Sequence, residues 1–588
     1  MEDAPVVMEM ASDCIDDDHD GYGVGSGCLG SDCNDADFFV FPGAPEACDA
    51  VDNDCDQALS PDEVDHDGDG RVACFGFVDR SRMHPEIVGG GDCAPNDANR
   101  FLTCTGGCVD ADNDGAFVAC DAYVSVSGPD CDDSDPSRYP LAPEIPDDGF
   151  DQDCSGQDLT AATTAVGVFV DVDAPQCATA TGTRERPYCT LAAAISPGAT
   201  VFVADGTYPG GLDLGSPGMR VYGGYTSSDW SRDPAMHVTT IEGDATGLVL
   251  HVHADGIVIS GLQLSSTHNG EFSLVRVSAG TALFERTRVY ARQTGNAAVV
   301  AFAFSDAAVE LRNVDIDAAG TGPFQAGTKI AGVTSAAARV RLRDVEMKFA
   351  SSQSCVYDSQ TASAASLFVD GLSLLRYSAL SQCNAATVFD LQAGTATAID
   401  VSANLEGDAG TAHFAELADG AELTLAHAST RMALNYGDNK TFILGSATLR
   451  VANSILFAFG GLSGFEVSGF EVLPGKTPKV EVYHCALPDN HEWVRWDGDS
   501  LKPVSSADYD RFNACRWPGC LRSAASFAAE QSFVAGELVP LSPGPFVETG
   551  IDLSLLGWDF ASGEQRDIKG LPRMTSKPDV GAYTHVTL

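Results

Sequence analysis

Alternating aspartates recur three times in the first 120 residues, at Asp16-Asp18-Asp20-Gly21, Asp65-Asp67-Asp69-Gly70 and Asp110-Asp112-Asp114-Gly115. Carboxylates at every second position of a sharply turning segment can converge their oxygens on one hard cation, with the glycine supplying the turn. Each triplet leads to a second cluster built on Asp-Cys. It is Asp32-Cys33-Asn34-Asp35-Ala36-Asp37 in the first copy and Asp130-Cys131-Asp132-Asp133-Ser134-Asp135 in the third. The second copy keeps Asp92, Asn96 and Asp97 but has Pro95 where a carboxylate should stand. Two copies close on a further acidic segment, Glu46 into Asp52-Asn53-Asp54-Cys55 and Glu144 into Asp151-Gln152-Asp153-Cys154. Calcium takes about six to eight oxygens, so a triplet needs the second cluster to complete its shell.

An EF-hand would place a glutamate at the twelfth loop position, where this chain has Gly27, Gly76 and Asp121. No amphipathic helix follows, and EF-hands are excluded.

The charge and cysteine maps divide the chain. Residues 1–160 carry 39 acids against five arginines and no lysine, a net charge of −34 out of −50 for all 588 residues. Such a segment repels itself unless cations neutralise it, and it is unsuited to nucleic acid or anionic lipid. Twelve of the 19 cysteines fall there: Cys14, Cys28, Cys33, Cys48, Cys55, Cys74, Cys93, Cys104, Cys108, Cys120, Cys131 and Cys154. The even count and short spacings read as a disulfide framework in an oxidising compartment. Cys104 and Cys108 have finger-like spacing, but no second Cys/His pair completes a zinc site. No signal peptide opens the chain and no apolar stretch could span a bilayer, so an export signal is expected to have been removed.

These residues resemble the MopE-type metal-binding repeat of bacterial surface proteins, which joins such a turn, an Asp-Cys cluster and a Pro-Gly-Ala-Pro-Glu segment like that at Pro42–Glu46. The resemblance covers residues 12–158 and implies an extracellular metal-binding module. Copper is attached to the family's name, but a carboxylate shell without His or Met suits Ca²⁺ better. The expected ligands are Asp16, Asp18, Asp20, Asp32, Asp35, Asp37, Asp52 and Asp54 in copy one. In copy two they are Asp65, Asp67, Asp69, Asp92 and Asp97, and in copy three Asp110, Asp112, Asp114, Asp130, Asp133, Asp135, Asp151 and Asp153.

Beyond residue 160 the signal is periodic. A pattern of apolar, any, apolar, any two, apolar, any, apolar begins at Ile257, Ala282, Val309, Val340, Leu367, Thr397, Leu423, Leu449 and Val480, about 28 residues apart. Thr397 is the poorest fit. Two short strands with alternate residues inward, such as Val309, Leu311, Val314 and Ile316, would flank a bend. The bend holds Gly261, Asn313, Asp344, Gly371 and Asn453, residue types that tolerate a left-handed backbone. The expected fold is mostly β: a right-handed parallel β-helix over 161–588 behind an irregular, disulfide-rich calcium-binding module over 1–160. A flat sandwich is the rival.

Cys355 with Cys383, Cys177 with Cys189, and Cys515 with Cys520 are the expected pairs here, leaving Cys485 as a buried small hydrophobe. Gly182–Leu191, Val201–Tyr208, Tyr222–Tyr225 with Trp230, and Gly570–Arg573 with Asp579–Tyr583 resemble the first and last coils of pectate-lyase-like β-helices. Leu191–Ile195 reads as a short capping helix.

That resemblance implies polysaccharide enzymes among possible functions, which need facing carboxylates or acids beside a base. Asp315 and Asp317 beside Arg312, and Asp344 and Glu346 beside Arg343, are candidates, but they occupy corner or outward positions where any β-helix is polar. His251 and His253 alternate on one strand face without a nearby third ligand. Trp493, Trp496, Asp497, Asp499 and Tyr509 form an aromatic-acidic insertion that reads as a packed loop before a sugar grip. Phosphate loops, nucleophile elbows and HExxH are absent. The reading is an exported, non-enzymatic surface protein whose solenoid meets a glycan, matrix or protein partner. Its alternatives are a carbohydrate-active enzyme and a subunit of a self-assembling surface filament.

Overall fold

Short β-branched runs broken by Gly, Asn and Asp favour strands that turn sharply and stack on their successors rather than pairing with near neighbours. The computed structural model describes residues 14–483 apart from 104, 106, 113, 136, 162–166, 296, 321–329, 352–359, 364, 379–385, 408–411, 435–438, 453 and 461–466, and beyond them the segments 493–496, 501–504, 541–542 and 586–587. The chain divides into two compact units. One comprises residues 1–142, 151–157 and 561–563; the other comprises 143–150, 158–560 and 564–588.

The second unit is a parallel β-solenoid. Ten strands, from Leu212–Leu214 and Leu250–Val252 to Asn439–Leu444 and Val467–Val472, form one sheet in which each pairs in parallel with the equivalent strand of the next coil. Two further strand stacks share a 19-stranded sheet, represented by Ile257–Ser260 and Leu262–His268 on either side of one corner. The expected starts pair in register: Ile257 with Ala282, Ala282 with Val309, Val309 with Val340, Val340 with Leu367, Leu423 with Leu449 and Leu449 with Val480. Thr397 is a correction. Leu367 pairs with Ala396, and Ala396 with Leu423, so this copy starts one residue earlier. Thr395-Ala396-Thr397-Ala398 alternates so weakly that the apolar phase is ambiguous by one, which the ladder then decides.

Corner residues take the left-handed backbone: Gly261, Asn313 and Asp344 as expected, and also Arg286, Asp400 and His427. Three of these corner N–H groups bond across the coils. Gly261, Arg286 and Asn313 donate to Glu285, Arg312 and Arg343 carbonyls on the following coil. The corner thus continues the inter-coil ladder, which offsets part of the strain at the non-glycine positions.

Inward positions fill a continuous apolar core. Val309, Leu311, Val314 and Ile316 are buried, and Phe389, Phe414 and Phe442 meet edge to face along it. The first coil is closed by a 3₁₀ turn, Leu191–Ala194, whose Leu191 and Ala194 enter the core. Outside that coil a second cluster packs Phe169, Phe202, Tyr225 and Trp230, with Phe169 and Trp230 rings 4.6 Å apart. Residues 143–150 are anchored there. Tyr222 donates to the Glu144 carbonyl (2.6 Å), Tyr225 to Asp147 (3.0 Å) and Arg232 to the Pro146 carbonyl (2.8 Å), while Arg286 pairs with Asp148.

Among its described residues the first unit has little regular structure: a parallel pair of two-residue strands, Arg71–Val72 and Gly89–Gly90, and one 3₁₀ turn, Pro61–Glu63. Both large apolar clusters lie in the solenoid unit, while in the first unit side chains such as Phe75 and Leu29 are exposed. Disulfides Cys14–Cys28, Cys33–Cys55, Cys48–Cys74, Cys108–Cys120 and Cys131–Cys154 cross-link it, and Cys93 is bonded as well. Cys177–Cys189 forms as expected in the solenoid unit. The expected pairs Cys355–Cys383 and Cys515–Cys520, Cys485, and the final-coil motifs from Gly570 lie outside the described residues.

Trp230→Ala should destabilise the solenoid unit by about 3–5 kcal/mol, the usual range for emptying a buried aromatic site. Denaturant unfolding followed by far-ultraviolet circular dichroism measures it.

Candidate metal centre

In each triplet the aspartates first build their own turn. Asp16 accepts the His19 and Gly21 N–H groups, Asp65 those of Gly68 and Gly70, and Asp110 that of Gly115. The third loop position then accepts from the fifth, and the fifth from the seventh. Asp18, Asp67 and Asp112 bond the N–H of Asp20, Asp69 and Asp114, which bond those of Tyr22, Arg71 and Ala116. Gly21, Gly70 and Gly115 all have positive φ, which lets the turn close.

At the third and fifth positions one oxygen per carboxylate is spent in this way, whereas Asp16 and Asp65 use both. The Oδ2 atoms of Asp18, Asp20, Asp67, Asp69 and Asp112, and Oδ1 of Asp110, are buried without a hydrogen-bond partner. Asp32 and Asp130 repeat the logic: Oδ1 accepts from Asn34 and Asp132, while Oδ2 is buried and unpartnered. Ligating atoms of Asp16, Asp18 and Asp20 lie within 4.8 Å of one another, as do those of Asp18, Asp32 and Asp35. The two clusters therefore meet, and Asp18 belongs to both.

Asp35 and Asp133 clamp the clusters together by accepting the N–H of Asp17 (3.0 Å) and Ala111 (2.6 Å). Pro95 stands at that place in copy two, yet Asp92 still approaches Asp67 and Asp69 closely enough to raise both pKa values, after burial itself. Crowding is most severe in copy three. Burial, then the charges of Asp114, Asp130 and Asp110, push Asp112 up to about 7. Crowding of this kind is relieved either by protonation of a carboxylate or by a compensating positive charge.

Three further expected ligands also accept backbone N–H groups. Asp37, Asp97 and Asp135 each cap the following bend, accepting from Phe39, Asn99 and Ser137, and Asp37 also pairs with Arg80. The closing aspartates form a turn of their own. Asp52 accepts the N–H of Asp56 and Gln57, Asp54 that of Asp56, and Asp56 that of Ala58. Asp151 and Asp153 accept equivalently from Ser155 and Gly156. Cys55 and Gln57, like Cys154 and Gly156, take positive φ, as His19 and Gly21 do in the first loop. This second loop was legible as a further Asp-x-Asp-x-(Asp/Ser) spacing.

Sequence reasoning gave Glu63 no role and left Glu46 and Asp121 outside the ligand set. Buried Glu63 accepts the N–H of Asp49 and Ala50, and its charge reaches Glu46 beside Asp54 and Asp52. Asp121, at the rejected EF-hand position, is a structural anchor. Desolvation acts to raise its pKa but is outweighed by the N–H groups of Thr103, Leu102 and Phe101 and the Thr103 hydroxyl, leaving it at about 2.

Elsewhere, the solenoid's candidate acids are paired or outward. Asp317 pairs with Arg292, Glu346 with Lys348, and Glu310 with Arg312 and Arg343, while Asp315 is exposed. A groove of about 400 Å³ gathers Asp233, Asp315 and Asp344 with Arg286, Arg288 and Gln263. Trp493–Trp496 pairs antiparallel with Leu501–Val504; Asp497, Asp499 and Tyr509 lie outside the described residues.

Residues 32–61 and 130–158 match the Cu-binding MopE family model, described as "Putative metal-binding motif". No curated protein matches the chain. Three solved chains match; one is the crystal structure of the pectate lyase Pel9A, 12% identical, with a TM-score of 0.29 and coverage of 71% of this chain and 96% of that one. A likeness so distant carries no argument, and the solenoid rests on its own ladders.

Asp121 tests the anchor. Its pKa falls from 3.8 in the unfolded chain to about 2, so its contribution is present above pH 3.8 and is lost as pH falls towards 2. Amide exchange at Leu102 and Thr103 should accelerate over that window, and Asp121→Ala should accelerate it at neutral pH by about fivefold, a cost near 1 kcal/mol for this partly solvated group.

Proposed function

We propose that this chain is an exported, calcium-stabilised structural protein whose acidic unit is folded around Ca²⁺ and whose solenoid presents an extended contact face to a surface glycan, matrix or protein. The observation that carries the reading is the set of buried, unpartnered carboxylate oxygens, which recur at equivalent positions of the three repeats and converge within 4.8 Å in the first. Their chemistry is all oxygen, hard and multiply charged, which suits Ca²⁺ rather than a soft ion. The disulfide framework supports an oxidising, extracellular setting, and among the described residues no helix is long and apolar enough to cross a membrane.

Binding energy for such a cation is folding energy. Adding a chelator to the full chain should lower the thermal midpoint of the acidic unit and leave the solenoid transition in place. Unchanged calorimetric traces would contradict the proposal. Asp112→Asn gives a test in both directions. In chelator it removes like-charge repulsion and should stabilise the acidic unit by about 1 kcal/mol. With Ca²⁺ it removes a ligand charge and should weaken binding by about tenfold or more, read by calorimetric titration. Loss of stability under both conditions would point to a purely structural aspartate.

The groove holding Asp233, Asp315, Asp344, Arg286 and Arg288 favours a second reading, a carbohydrate-active enzyme. Acids beside a guanidinium are what proton abstraction from an acidic sugar needs. Cleavage of a polyuronate by the intact chain, abolished in Arg288→Ala, would select that reading over the structural one.

A further inference from the structure

His251 and His253 alternate on the strand Leu250–Val252 and its exit, so both rings stand on the outer side of the ten-stranded sheet. The preceding coil supplies what the local sequence lacks. Strand Leu212–Leu214 pairs with Leu250–Val252 in a register that sets Asp213 directly beside His251. Asp213 Oδ1 lies 2.8 Å from His253 Nε2 and 3.3 Å from His251 Nδ1, and one ligating atom from each of the three residues falls within 4.8 Å of the others. We infer that Asp213, His251 and His253 form a second metal site, independent of the acidic repeats, for a divalent transition ion of the Zn²⁺ type.

Two features hold the rings in this arrangement. His251 Nε2 is 2.9 Å from Ser278 Oγ on the following coil. With that nitrogen protonated and donating to Ser278, the Nδ1 lone pair faces Asp213, the outer-shell arrangement that fixes a ligating imidazole. Gly215 leaves room for the other ring: a Cβ there would come within 2.4 Å of His253 Cε1 and 2.7 Å of Nε2. Its backbone is in no glycine-only conformation, so the space is what the absent side chain provides.

The ligand set chooses the ion. Two neutral imidazoles and one carboxylate suit Zn²⁺ and its neighbours and are poor partners for Ca²⁺ or Mg²⁺. Three protein ligands leave at least one position open. The side chains are 36% (His251), 39% (His253) and 68% (Asp213) exposed, so that position faces solvent. Arg276 lies beside His251 on the side away from Asp213, where its guanidinium suits an anionic fourth ligand. A chain carrying −50 overall concentrates cations around it.

Co²⁺ is the probe, added to the full chain in excess Ca²⁺ so that the carboxylate loops are filled. Binding should give visible absorption of an imidazole-ligated ion, reversed by one equivalent of Zn²⁺. His253→Ala and Asp213→Asn, both at exposed positions, should lose one bound Co²⁺ with an unchanged circular dichroism spectrum. Gly215→Ala should weaken binding about tenfold or more by displacing the His253 ring. His237→Ala is the control, since His237 pairs with Asp205 at 3.6 Å without a second histidine, and should leave the titration unchanged. No Co²⁺ absorption in the unaltered chain, or titrations of His253→Ala and Asp213→Asn that match it, would overturn the site and leave the triad as an ion-paired surface cluster.

Discussion

Like-charge repulsion is the constraint around which the acidic unit is organised. Its turns close because aspartate oxygens accept backbone N–H groups, and at Asp18, Asp67 and Asp112 the remaining oxygen is left buried beside others of the same sign. Hydrogen bonding therefore assembles the repulsion rather than relieving it. In the proposed function a bound cation would convert that cost into cohesion in a unit with few buried apolar side chains. The disulfides act alongside it: Cys33–Cys55 and Cys131–Cys154 tie each Asp-Cys cluster to its closing loop, so that both loops are held whatever the ion does.

The solenoid solves stability in another way. Its coils rest on pairing between successive coils, strand to counterpart, and corner N–H groups join the same ladder. Apolar burial is then additive along the stack, which is why residues of modest helix or strand preference suffice provided their phase is right. The outward faces are left to paired charges such as Glu310 with Arg312 and Arg343, and to isolated constellations such as the histidine pair.

This difference between the units governs how much the sequence discloses. Period and phase are local, so the corners Gly261, Asn313 and Asp344 and the inward set around Leu311 were readable, and only the Thr-Ala run at 395–398 blurred the phase. The triplets were readable because their spacing encodes the turn. Glu63 was not: it approaches the turn at Asp49 and Ala50 from a later segment, with no spacing rule linking them. The Asp213–His253 contact was hidden for the same reason, being set by the length of one irregular coil. Asp37, Asp97 and Asp135 accept the N–H two residues on just as Asp18 and Asp32 do, so this contact alone does not separate a capping carboxylate from a coordinating one.

Native mass spectrometry of the intact chain, desalted and then supplied with micromolar Ca²⁺, addresses the central claim most directly. Retention of at least one Ca²⁺ for each of the three aspartate triplets, and their loss together with a broadened charge-state distribution when chelator is added, is the result this account predicts. A chain that carries no divalent ion and keeps the same compact charge states in chelator would contradict it.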